Sequence, residues 1–141
     1  KIGDISAIGP LVDNFRANPI QKHEVLRRCC AHALCLISES VRKLERTVTT
    51  PENFLPDKYK KGFSQPRVSV RFAGFSSAIS TLVGVLQNDK EADDTRREAA
   101  FALGAIGDPA AIPELRVHLN SPDNYLAEIC KEALLRIELK K

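Results

Sequence analysis

The feature that most constrains this chain is that it repeats itself. Ile106-Gly107-Asp108, Ala111-Ile112 and Leu115 stand 104 residues after Ile2-Gly3-Asp4, Ala7-Ile8 and Leu11. Arg96-Arg97 with Ala100, Ala102, Leu103 and Ile106 stand 69 residues after Arg27-Arg28 with Ala31, Ala33, Leu34 and Ile37. Ala111-Ile112, Leu115 and Leu119 stand 33 residues after Ala78-Ile79, Leu82 and Leu86. About three units of roughly 35 residues fit these offsets. A unit of that size cannot bury its apolar face alone, so the expected fold is an all-α, right-handed α-α superhelix of stacked helix pairs. The whole of 1–141 reads as one such domain.

Residues 94–139 show the unit most clearly. Thr95 followed by Glu98 has the spacing of a capping box and predicts a helix from about residue 95. Ala99, Ala100, Leu103 and Ile106 recur every three or four residues on one stripe, and Gly107 supplies a left-handed stop. Asp108-Pro109 restarts the chain with a capping carboxylate and a residue that has no donor to waste. Because Pro113 is awkward inside a helix, 108–111 is read as a 3₁₀ turn, with regular helix from near Ile112. Ile112, Leu115 and Leu119 form the buried stripe of that helix. Ser121-Pro122-Asp123 caps a last helix carrying Leu126, Ile129, Cys130, Ala133, Leu134 and Ile137.

Earlier in the chain, residues 6–17 read as the second helix of a repeat whose first helix is missing. A first-type helix is expected over 21–37. Ser38-Glu39-Ser40 replaces the Gly-Asp-Pro turn, and Val41, Leu44 and Val48 continue the stripe as in one long helix. Residues 49–66 are an irregular insertion with three prolines, and a loop of that length is uncommon in a compact domain. After it, Phe72, Ala73 and Phe75 predict a first-type helix, and Ala78-Ile79, Leu82 and Leu86 a second-type one.

Composition excludes several function classes. With 6% aromatics and no Trp, the chain suits helices packed through Ala and Leu rather than an aromatic pocket. A net charge of +3 is too small to argue for nucleic acid without a clustered patch. No apolar run approaches the roughly 20 residues needed to span a bilayer. The absent initiating Met and signal-peptide pattern suggest a processed chain. Cys29, Cys30, Cys35 and Cys130 lack CxxC spacing and lie in apolar helical patterns, which predicts free core thiols in an intracellular reducing compartment. That compartment is the cytoplasm, or an organelle matrix or stroma after removal of a targeting segment.

The run Arg-Arg-Glu-Ala-Ala-Phe-Ala-Leu-Gly-Ala-Ile-Gly-Asp-Pro-Ala-Ala-Ile-Pro-Glu-Leu, followed by Leu-Asn-Ser-Pro-Asp-Asn-Tyr-Leu-Ala-Glu, resembles the HEAT-like repeats of the phycobilisome lyase (PBS lyase) type. Such repeats occur in phycobilin lyase subunits, in phycobilisome-degradation proteins, in deoxyhypusine hydroxylase and in many scaffold proteins. The resemblance covers 94–139, is weaker over 2–37 and is absent from 49–66. It implies the armadillo-like α solenoid more firmly than any one job.

Three constellations are candidates for chemistry. His23-Glu24 resembles the His-Glu dipeptides that supply iron ligands in deoxyhypusine hydroxylase, where several converge. One such dipeptide is present here, and Arg97-Glu98 and Ala127-Glu128 stand where others would be. A metal needs three or more converging ligands, so the expectation is a solvated helix start and no metal site. Cys29, Cys30, Cys35 and His32 share a helix but face different ways, which favours core packing over a ligand or nucleophile set. The basic run Lys58, Lys60, Lys61, Arg67 and Arg71, with Tyr59 and Phe63, is the candidate partner-binding surface. It suits an acidic protein surface better than nucleic acid, which would call for more stacking rings.

The function expected from these features is a non-catalytic protein-binding scaffold or assembly factor, with no cofactor. The alternative implied by the resemblance is a phycobilin-lyase-like subunit or chaperone that handles a tetrapyrrole, with phycobilin as cofactor.

Overall fold

The computed structural model describes residues 4–18, 20, 22–52 and 68–138, without the side chains of 42–52 and 68–74. Six α-helices follow one another: α1 Ile8–Ala17, α2 Glu24–Glu52, α3 Val68–Gln87, α4 Asp93–Ile106, α5 Ile112–Val117 and α6 Asn124–Glu138. Single 3₁₀ turns occupy Ile5–Ala7, Pro109–Ala111 and His118–Asn120. No strand occurs among the described residues. The first-type helices α2, α4 and α6 lie side by side in one layer, while α1, α3 and α5 form the second. This is the stacked helical solenoid that the internal offsets predict.

The core runs between the layers. Leu34, Leu82, Leu103, Leu115 and Leu126 have no solvent exposure, and each comes from a different helix. The repeated Asp turn is built the same way twice. Asp108 Oδ1 accepts from Ala110 N at 2.8 Å over the turn Pro109–Ala111, and Asp4 Oδ1 accepts from Ser6 N at 2.9 Å over Ile5–Ala7. Gly107 ends α4 at φ 71°, ψ 31°, a left-handed conformation that costs glycine little, and its N–H closes on Leu103 O at 2.9 Å. Pro113 falls in the first turn of α5, where the missing donor is not needed.

Four expectations are corrected. The helix α4 starts at Asp93, two residues before the expected capping box, behind an extended Ala92. Asp93 and Asp94 supply negative charge where the helix dipole favours it. Thr95 is thereby carried inside the first turn, where its Oγ1 is buried without a hydrogen-bond partner. Leu119 is 38% exposed, because α5 gives way to a 3₁₀ turn that rotates it off the Leu115 stripe. Between Val68 and Gln87 there is one helix and not two, with Ala78, Leu82 and Leu86 fully buried on it. Cys29 is exposed, unlike the buried Cys30 and Cys130, and all four thiols are free. Of the irregular segment, residues 49–52 are the last turn of α2, and 53–66 lie outside the described residues. No helix of the described residues is long and apolar enough to cross a membrane.

Close helix approach depends on small side chains. A Cβ placed on Gly104 would stand 2.8 Å from Ala133 Cβ and 2.9 Å from Ala133 Cα, so α4 and α6 meet almost backbone to backbone. On Gly84 in α3 an added Cβ meets nothing within 4 Å. Gly104→Ala is therefore expected to lower stability by about 1–3 kcal/mol through overpacking. Gly84→Ala should raise it by about 0.5–1 kcal/mol by restricting the unfolded chain. Urea unfolding followed by circular dichroism checks both signs.

Candidate functional site

The duplicated Arg-Arg pairs organise the polar chemistry of the molecule. Arg27, the first arginine of its pair, is buried and reaches across three elements. Its Nε and Nη2 bond Glu91 Oε1 and Oε2 at 2.8 and 2.7 Å, and its Nη1 donates to Phe15 O at 2.6 Å and Asn18 O at 2.9 Å. Those carbonyls belong to the end of α1, which leaves acceptors unpaired and favours a cation. The guanidinium also lies 5.0 Å from the Phe15 ring centroid. The equivalent Arg96 repeats the device on the end of α3, donating from Nε and Nη2 to Leu86 O at 3.3 and 3.2 Å. The Arg27–Glu91 pair lies beside an open cleft of about 320 Å³, also lined by Arg16, Ser80, Thr81 and Asn88.

The second arginines form a ladder across the first layer. Arg28 of α2 pairs with Asp94 of α4 at 3.3 Å, Asp94 with Arg97 at 3.2 Å, and Arg97 with Asp123 through two bonds of 2.8 and 2.9 Å. Asp123 also accepts from the first N–H groups of α6, Tyr125 at 3.0 Å and Leu126 at 3.3 Å. Arg97 lies 5.1 Å from the Tyr125 ring centroid. Its hydrogen bonds hold the Asp123 carboxyl below the ordinary 3.8, the two backbone N–H groups adding to this and partial burial opposing it. One turn along, His32 Nδ1 of α2 stands 3.2 Å from Glu98 Oε2 of α4. A histidine and a glutamate thus meet across two helices, in an exposed setting.

The other sequence candidates do not converge. His23 and Glu24 begin α2 beside an open cleft of about 540 Å³ with Lys22, Val25, Leu26 and Cys29. Glu98 is engaged by His32 and Arg97 by Asp123, while Glu128 is exposed on α6. Among the described residues, no group of three or more His, Cys, Asp or Glu could hold a metal ion. Burial raises the Cys30 thiol, helped by Cys29 and opposed by Arg27, and pushes Cys130 up to about 11, so neither is an activated nucleophile. Of the partner-binding candidates, Lys58, Tyr59, Lys60, Lys61, Phe63 and Arg67 lie outside the described residues, and Arg71 is placed only as backbone within α3. Sequence reasoning missed the Arg27–Glu91 tie, the ladder and the His32–Glu98 pair. Its available signal was the recurrence of Arg-Arg at an offset of 69 residues.

Paired helices in two layers, capped by repeated arginines, are the architecture of a HEAT-like repeat protein, and residues 70–134 match the family model of HEAT repeats. Among curated proteins, the chain is 44% identical over 62 residues to deoxyhypusine hydroxylase of Gallus gallus, covering 44% of this chain and 21% of that protein. It is 43% identical over 61 residues to the deoxyhypusine hydroxylase of Homo sapiens, covering 43% and 20%, and 40% identical over 62 residues to that of Danio rerio, covering 44% and 20%. The chain therefore spans about a fifth of the length of these relatives. No solved structure matches significantly.

These relatives correct the functional expectations. The repeats align with proteins named deoxyhypusine hydroxylase and not with a phycobilisome lyase, so the bilin-handling function is set aside. The expected non-catalytic scaffold is overturned as well, because the matched relatives carry an enzyme's name over the aligned region. Repeat periodicity is common to both kinds of protein, which is why it misled on this point.

Two measurements probe the polar framework. Arg27→Met leaves the fully buried Glu91 carboxylate unpaired and is expected to cost about 3–5 kcal/mol. Adding Glu91→Leu should recover part of that loss in urea unfolding. A carboxyl depressed in the folded state stabilises above its unfolded pKa, and that stabilisation disappears as pH falls through the folded value. Asp123→Asn should therefore destabilise at neutral pH, with its difference from wild type closing as the pH drops below 3.8. Urea midpoints taken across that range read it directly.

Proposed function

We propose that this chain forms part of a protein hydroxylase of the deoxyhypusine hydroxylase type, acting on a deoxyhypusine side chain. The observation that carries the reading is the 44% identity over 62 residues to the Gallus gallus enzyme. The described residues do not themselves fit the iron that the resemblance implies. Arg97-Glu98 replaces a His-Glu dipeptide, its guanidinium is committed to Asp123 and Tyr125, and no three ligands converge. The share of the activity proposed for this segment is accordingly to present polar groups toward the substrate. Glu98 is the leading candidate: His32 fixes its Oε2, and a carboxylate on the exposed side of the layer suits an amine-bearing residue. The acidic partner expected of the basic run around Lys60 and Lys61 is then the protein that carries the modified residue.

The test incubates the protein carrying this chain with ferrous iron, a reductant, oxygen and a deoxyhypusine-containing protein, and follows the gain of one oxygen atom by mass spectrometry. Hydroxylation is expected, with Glu98→Gln slower than wild type and charge reversal at Lys60 and Lys61 weakening substrate binding. No oxygen gain, in a preparation where the Gallus gallus enzyme hydroxylates the same substrate, overturns the reading.

A further inference from the structure

The side of α2 turned away from α4 is apolar and uncovered. Leu26 and Leu36 are each 41% exposed, Cys29 is exposed and Ala33 is half-buried. Spacings of three, four and three residues put them on one helical stripe. Their counterparts 69 residues on in α4 are Thr95, Ala105, Glu98 and Ala102, which lie on the side of α4 that packs against α2. Thr95, Ala102 and Ala105 have no exposure at all. The second layer shows the same contrast: Ala7 and Leu11 of α1 are half-buried, whereas the equivalent Ala78 and Leu82 of α3 are fully buried. One face of the α1–α2 pair is thus open where the same face of the next repeat is closed.

We infer that this face seats a first-type repeat helix, running alongside α2 and entering the turn at Asp4. Two further observations select that occupant. The turn at Asp4 has the same side-chain cap and 3₁₀ geometry as the turn at Asp108, into which the first-type helix α4 runs. Ala33 occupies the repeat position of Ala102 and Ala133, and Ala133 is the residue on which Gly104 of α4 packs at its closest. A helix with the sequence of α4 therefore brings its glycine onto Ala33 as Gly104 comes onto Ala133, continuing the α4–α6 type of contact across the open stripe. The inference concerns stacking alone and stands apart from the proposed activity.

The test copies residues 92–107 in front of Asp4, in place of residues 1–3, and compares this extended protein with the original chain. Cys29 lies in the middle of the stripe, so its maleimide labelling, assigned by peptide mapping, reports coverage. Labelling of Cys29 is expected to slow by about tenfold or more in the extended protein, since modification then requires local opening of the added helix. Leu36→Asp in the extended protein should restore rapid labelling. Equal Cys29 labelling in both proteins, or protection that survives Leu36→Asp, overturns the inference. So does a dimer of the original chain, seen by sedimentation, in which Cys29 is already protected, because a second copy would then be the occupant.

Discussion

The structure depends first on the guanidinium of Arg27. It sits where the end of α1, the start of α2 and the link between α3 and α4 come together, and it satisfies acceptors from all but its own helix. A buried ion pair of this kind adds little net stability compared with well-packed apolar groups, yet removing one member leaves a stranded charge. Its contribution is therefore to geometry. Glu91 has only one place to go, and with it the entry of the chain into α4 is set. Arg96 repeats part of the arrangement one repeat later, on the carbonyl of Leu86.

The second arginines have a different task. Arg28, Asp94, Arg97 and Asp123 link the starts of α2, α4 and α6 into a continuous line. The outer pair of this line is exposed, so salt weakens it, whereas the Arg97–Asp123 rung gains from two aligned bonds and from the N–H groups of α6. The same Arg97 stands where a metal-binding histidine would be expected from the hydroxylase resemblance. Its commitment to the ladder is the physical reason that this repeat supplies polar contacts and not a ligand set.

Much of the fold was legible because the offsets of 104, 69 and 33 residues tie each helix to another of the same kind. The stop at Gly107, the 3₁₀ turn after Asp108 and the late start of α5 all follow from local backbone chemistry. The capping box at Thr95 failed because Ala92 and the two aspartates open α4 earlier, which spacing alone does not reveal. Leu119 failed because a six-residue helix does not hold one stripe through its closing 3₁₀ turn. The candidate site was less accessible. His32 and Glu98 are 66 residues apart and meet only because the helices stack in parallel at the repeat offset. Repeat periodicity carried no information on whether the whole is enzyme or adaptor.

The near contact of Gly104 with Ala133 bears on the mechanics of the solenoid. A seam made of glycine and alanine has no long side chains that can change rotamer to absorb a displacement, so α4 and α6 behave as one stiff plate. The neighbouring seam between α2 and α4 is bridged at its rim by exposed pairs of flexible side chains, Arg28 with Asp94 and His32 with Glu98. Elastic bending of the superhelix is concentrated there, and the distance between His32 and Glu98 becomes a gauge of its curvature.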